Sequence, residues 1–121
     1  MNKDIYQLNK GEGRTRVSLT AHRLGDDLAV FIYNDKAHIG AVAVGEYDHA
    51  EQRASVSVIT RLGHKDDALA RSAALAIARH TKKPVSVIAG VHVDDITGQE
   101  IDAILKNAAL LLEKFIKTMP A

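Results

Sequence analysis

The stretch SVIAGVHVDDITGQE, from Ser86 to Glu100, decides how this chain folds. Its first half belongs to an apolar strand, Val85 to Val93, opened by Pro84, whose missing N–H matters little at a strand's first residue. Its end, Thr97-Gly98-Gln99-Glu100, has the pattern of a capping box, with Thr97 as N-cap and Glu100 at N3. Ile96 and Ile101 occupy the hydrophobic-staple positions around that cap. Beyond it Ile101, Ile104, Leu105, Ala108, Leu112 and Phe115 make one apolar stripe with Lys and Glu opposite, so a long amphipathic helix follows. Strand and helix thus meet without a linker, across His92, Asp94 and Asp95. Asp95 suits the positive end of the helix dipole. Neither the turn nor the cap needs His92 or Asp94, which in an extended strand would share one face.

Upstream the chain is strand-like, then helical. Val17, Leu19 and Ala21 alternate with Arg16, Ser18, Thr20 and His22, the period of a half-buried strand. LAVFIY (Leu28–Tyr33), HIGAVAVGEY (from His38) and RASVSVITRLG (Arg53–Gly63) follow as three more strands, joined by short turns that favour an antiparallel meander. From Lys65 to Thr81 the period changes: Leu69, Ala73, Ile77 and His80 fall at helical spacing, with Asp66 and Asp67 at the start and basic residues at the end. Pro84 stops this helix. The expected fold is α+β: a mainly antiparallel sheet with two helices on one face, in the order ββββαβα, as a single domain over 1–121 with 1–14 loosely ordered. The strand from Val85 is expected to lie beside the HIGAVAVG strand or an outer neighbour, so that the spatial order is mixed.

Composition excludes several functions. With 121 residues the chain can bury a core without staples. It has no cysteine, hence no disulfide, thiol nucleophile or thiolate metal site. A net charge of +1 gives no footprint for nucleic acid, and 4% aromatic residues leave little for base stacking. No apolar run reaches membrane-spanning length and the N-terminus is too polar for a secretory signal, so a soluble cytoplasmic protein is expected. GEG at Gly11–Gly13 precedes a strand rather than opening a helix, so it is no phosphate loop. Ser55, Ser57 and Ser86 lack a nucleophile elbow and read as polar strand positions. His92, Asp94 and another histidine have the donor chemistry for zinc, iron or manganese, but no HExxH or paired-histidine helix motif accompanies them, and no metal site is assigned.

What remains is a rim. His38 opens one strand, His64 follows Gly63 ahead of the first helix, and His92 closes the last strand two residues past Gly90. Gly40, Gly63 and Gly90 permit close backbone approach. If these ends converge, His38, His64, Lys65, Asp66, His92 and Asp94 share one edge of the domain. Histidines so placed are also compatible with simple solvation, or with one structural hydrogen bond each.

The combination HIGAVAVG, GHKDD…AR and PVSVIAGVHVDDIT..EI resembles the small D subunit of gallate and hydroxyarylic-acid decarboxylase systems, a prenylated-flavin chaperone-like domain related in fold to proteasome assembly chaperones. The resemblance runs from about Thr15 to Ile116, and GVHVDDIT is its most specific piece. It implies a non-catalytic accessory protein of aromatic acid metabolism. Such a protein assists delivery or maturation of prenylated FMN (or FMN), held transiently, for a prenylated-FMN-dependent decarboxylase, with a flavin prenyltransferase as a second partner. By the same resemblance His38, Gly40, Gly63, His64, Lys65, Gly90, His92 and Asp94 form the functional rim. Lys65, Arg71 and the first helix's N-terminus are placed to meet a phosphate, opposed by Asp66 and Asp67. Two other classes stay open: an assembly chaperone or decarboxylase subunit that binds no cofactor, and a small enzyme using His92 and Asp94 as acid–base partners. High apolar content and a LAVFIY strand without a polar face predict a homodimer.

Overall fold

The computed structural model describes residues 5–61 and 66–120. A three-stranded antiparallel meander comes first: β1 (Ile5–Lys10), β2 (Val17–Leu24) and β3 (Asp27–Tyr33), with a short 3-10 turn at Gly13–Thr15. A hairpin follows, β4 (Ala41–Asp48) and β5 (Arg53–Thr60). After α1 (Asp67–Thr81), β6 (Val85–Gly90) enters between the two units, parallel to β3 and antiparallel to β4, and α2 (Gly98–Thr118) ends the fold. The sheet order is β1-β2-β3-β6-β4-β5. The last strand lies beside the HIGAVAVG strand, as its sequence predicts. The sheet is mixed rather than purely antiparallel, because β6 pairs in parallel with β3.

One strand escapes the expected order. Residues 5–10, placed in a loose N-terminal segment by their polarity, form the edge strand β1, so the order is βββββαβα. IYQLNK turns only Tyr6 and Leu8 toward the core, too short an alternation to stand out. Tyr6 is held there by an edge-to-face contact with Phe115 of α2, ring centroids 5.5 Å apart.

Alternation decides which face is covered. Val17, Leu19, Ala21, Val30, Ala41, Ala43, Val87 and Ala89 are fully buried on one face of the sheet. Both helices lie on this face, α1 over β4, β5 and β6, and α2 over β1 and β2. Ala70, Ala73, Ala74 and Ala78 give α1 a flat contact surface that lets it sit close to the strands. From α2 the buried side chains are Ile104, Ala108, Leu111 and Phe115. This corrects the predicted stripe: Leu111 rather than Leu112 is its buried member, and Ile101 and Leu105 remain 43% and 52% exposed at its edge. Phe115 is fully enclosed, which places it among side chains whose truncation to alanine costs roughly 3–5 kcal/mol. No helix among the described residues is long and apolar enough to cross a membrane.

The other face of the sheet carries no helix among the described residues. The strand registers align Thr20, Phe31, Ile88, Val42 and Ile59 in one row across five strands. Ile59 is 75% exposed, and Val44 nearby is 46% exposed.

Two boundaries move the candidate rim. β4 begins at Ala41, so His38 lies in the loop before it rather than in the strand. β6 ends at Gly90, so His92 and Asp94 stand beyond the ladder, where the chain bends through Asp95 at φ 50° into α2. Sheet pairing stops there because β3 turns away after Tyr33 and β4 has not yet begun.

Candidate functional site

The site is built where β3 and β6, parallel neighbours, release their chains at the same edge. Asn34, the first residue past β3, continues the pairing with its side chain. Its Nδ2 donates to the His92 carbonyl at 2.7 Å and its Oδ1 accepts the His92 N–H at 3.1 Å. This pair of hydrogen bonds to backbone fixes the segment that carries His92 although no ladder reaches it. Sequence reasoning saw only a short turn after LAVFIY here; an asparagine directly after a buried strand was the available signal.

From that anchored backbone the side chains form a chain of contacts. The His92 ring places Nε2 2.8 Å from Asp94 Oδ1, donating to the carboxylate. Lys36 Nζ donates to the other oxygen of Asp94 at 3.0 Å. The Asp94 carboxyl is therefore held below its ordinary range, first by the His92 hydrogen bond and then by Lys36. Arg14, from the 3-10 turn, donates to the Asp94 carbonyl at 2.6 Å and grips Glu100 of α2 with Nε at 2.7 Å and Nη2 at 3.2 Å. Glu100 also accepts the Thr97 N–H at 3.1 Å while Thr97 Oγ1 accepts the Glu100 N–H, which completes the capping box read from sequence. Glu100 consequently ionises at about 2, chiefly through the Arg14 bond, and the same bond raises Arg14 above its usual value. These are exposed groups, so the cluster sets geometry more than it adds stability.

His38 joins from the loop before β4, its ring centroid 5.4 Å from that of His92. The two glycines of this region have a structural reason. A Cβ on Gly90 would overlap the His38 carbonyl oxygen, and one on Gly40 would overlap the Asp66 carboxylate. Asp66, just before α1, accepts the Val91 N–H at 3.3 Å and ties that helix to the end of β6. His38, Gly40, Gly90, His92 and Asp94 are thus brought together, with Asp66. Arg71 is not: it sits exposed on α1 and lines neither cavity described below. Gly63, His64 and Lys65 lie outside the described residues.

Two cavities meet at the His38–His92 pair. The first, about 360 Å³, is walled mainly by charged and polar residues: the 3-10 turn with Arg14 and Arg16, Asn34 to Lys36, and His92 to Asp94. The second, about 330 Å³, is shallow and apolar; Phe31, Tyr33, Ile39 and Ile88 line it on the open sheet face, with His38 and Gly90 at its end. Tyr33 OH is fixed against Thr20 Oγ1 at 2.9 Å. Among the described residues no group of three or more His, Cys, Asp or Glu is close enough to hold a metal ion. The arrangement offers hydrogen bonds, a cationic wall and an adjoining flat apolar floor.

The fold is similar to that of a solved chaperone complex for yeast 20S proteasome assembly, with a TM-score of 0.61 at 13% identity, covering 96% of this chain and 95% of that one. A search of curated protein sequences finds no match. Residues 11–120 match the family described as the prenylated flavin chaperone LpdD-like domain, and the chain belongs to that family.

Proposed function

We propose that this protein is a non-catalytic chaperone that holds prenylated FMN, or FMN, transiently and assists its delivery to, or maturation in, a prenylated-FMN-dependent aromatic-acid decarboxylase in the cytoplasm. The family match over residues 11–120 carries the reading. The donor set fits the group. Phe31, Tyr33 and Ile88 provide a flat apolar surface for a ring system, and His38, His92 and Asp94 supply hydrogen bonds at its edge. When bound, the prenylated flavin would bring the azomethine-type electron sink that decarboxylation needs; this chain's residues would only hold it and shield one face. His92 and Asp94 are 45% and 59% exposed, so a ligand resting on them stays accessible to a receiving enzyme. A flavin prenyltransferase would be the source of the cofactor.

A homodimer completes the proposal. Beyond the flavin surface, Val42, Val44 and Ile59 make an apolar strip on the outer part of the uncovered sheet face, suited to a second copy of the same strip. A second reading draws on that face and on the fold shared with an assembly chaperone complex: a protein-assembly factor or decarboxylase subunit that binds no cofactor. One experiment separates the two. Prenylated FMN is mixed anaerobically with the protein, and flavin absorbance is followed through gel filtration. Co-eluting flavin in wild type, reduced in His92→Ala and Asp94→Ala with folding intact, supports carriage. A protein that activates the decarboxylase while flavin elutes free leaves only the assembly reading.

A further inference from the structure

The first cavity holds a cation that the contact chain leaves unused. Arg14 is engaged by Glu100 and Lys36 by Asp94, but the exposed Arg16 guanidinium has no hydrogen-bond or ion-pair partner among the described residues. It lines the same cavity of about 360 Å³, where Arg14 and Lys36 are matched by Glu100 and Asp94, so Arg16 is the cation left over, with the Asp35 carboxylate on the same wall. The two engaged cations are held in place by their partners, and Asn34 fixes the His92 segment of the cavity by its two hydrogen bonds to the His92 backbone. A planar guanidinium in that setting presents parallel N–H donors that match two oxygens of a tetrahedral anion.

From this we infer that the cavity between Arg14, Arg16, Lys36 and His92 receives a phosphate monoester, the phosphate end of the flavin ligand. The inference rests on the carriage reading for its ligand and assigns the phosphate to a place the sequence did not indicate. The positions predicted for that role were Lys65, Arg71 and the start of α1; Arg71 lies away from both cavities. A phosphate held at Arg16 and Lys36 leaves the ribityl tether to pass the His38–His92 pair. The ring system then reaches the apolar surface at Tyr33 and Phe31. One molecule would thus occupy both cavities, its charge in one and its ring on the other.

The test follows the ¹H–¹⁵N resonances of the full-length labelled protein, with Arg Nε–H included, during anaerobic titration at constant ionic strength. The probes are prenylated FMN, the same compound after phosphatase treatment, and AMP and inorganic phosphate as ring-free or differently ringed phosphates. Prenylated FMN is expected to shift Gly13, Arg16, Lys36 and His92 together with Phe31 and Tyr33. The dephosphorylated compound should shift only the apolar group and bind about tenfold more weakly or worse, the scale of a lost charge-assisted contact. Arg16→Ala should remove that difference while leaving the dephosphorylated ligand unaffected, and Arg16→Lys should restore part of it. Equal affinity for the two flavins, unchanged binding of prenylated FMN by Arg16→Ala, or phosphate shifts centred on Arg71 would each overturn the inference while leaving carriage intact. If neither flavin binds, the carriage reading fails and the phosphate probes decide the cavity alone. AMP or inorganic phosphate shifting Arg16 and Lys36 sustains a monophosphate site, and no shift there ends it.

Discussion

Replacing Gly90 by alanine puts the tightest approach in the site under strain. The new Cβ would overlap the carbonyl oxygen of His38, a backbone atom that cannot rotate aside, and would stand 3.3 Å from the Gly40 nitrogen. Either β6 or the loop from Ala37 to Gly40 has to move. The loop is held by Gly40 N–H donating to Ala89 O at 3.0 Å, by Arg61 N–H donating to Gly40 O at 2.9 Å, and by Arg61 Nη1 donating to Ile39 O at 2.9 Å. Overpacking of a filled space costs about 1–3 kcal/mol. Displacing the loop gives up at least the Gly40–Ala89 bond, worth about 1 kcal/mol. Gly90→Ala is therefore expected to lose about 2–4 kcal/mol. Urea unfolding followed by circular dichroism measures it, with an unchanged m-value and a lowered midpoint. Gly98→Ala is the control: nothing lies within 4 Å of its added methyl, and in a helix alanine gains up to about 1 kcal/mol over glycine. A Gly90→Ala midpoint equal to that of wild type would refute the account, because His38 could not then rest against the end of β6.

Three more outcomes are open to measurement. Thr97→Ala removes the cap that accepts the Glu100 N–H and should cost about 1 kcal/mol by the same urea assay; no change would mean the box is ornamental to α2. Glu100 ionises at about 2 when folded against 4.5 ordinarily, so its contribution is present above pH 4.5 and is lost as pH falls toward 2. The stability gap between wild type and Glu100→Gln should close across that window, and a gap independent of pH would be incompatible with the Arg14–Glu100 pairing. Light scattering should give twice 13.1 kDa for wild type and a value near 13.1 kDa for Ile59→Asp, whose charge interrupts the open-face strip; a wild-type mass of one chain at micromolar concentration would remove the dimer from the proposal.

The parts of the fold that local chemistry writes strongly were legible. Alternation in β2, the largely apolar β3 and β6, and the capping box at Thr97 each appear in the sequence because a single element's own period or cap produces them. β1 was hidden because it is an edge strand, and its pairing with β2 supplies what its composition lacks. The ends of β4 and β6 were misplaced for a tertiary reason. HIG and VHV continue an apolar pattern, yet strand ends are set by where the neighbouring chain turns away. His92 and Asp94 were found as a pair that no turn required, and they do touch. Arg14, Arg16, Asn34 and Lys36 were missed as site residues because they come from segments 58 or more positions away in the chain. Nothing in a basic residue beside a glycine-containing turn announces which distant loop it will face.

The insertion of β6 between β3 and β4 also constrains how the chain can assemble. No ladder joins β3 to β4; each is hydrogen-bonded to β6, which comes after both in the chain, with α1 between. The meander and the β4–β5 hairpin can form early from neighbouring residues, but they remain two separate ribbons until Val85–Gly90 docks. Closing that gap is a long-range event, since Leu28 must find Val85, and such closures slow folding relative to local pairing. On a ribosome the first sixty residues would therefore wait, with the inner edges of β3 and β4 unpaired, for the strand that also carries His92 toward the site. The last β-strand made is the one that turns two hairpin units into one sheet, so continuity of the sheet and assembly of the His92 cluster should appear in the same kinetic step.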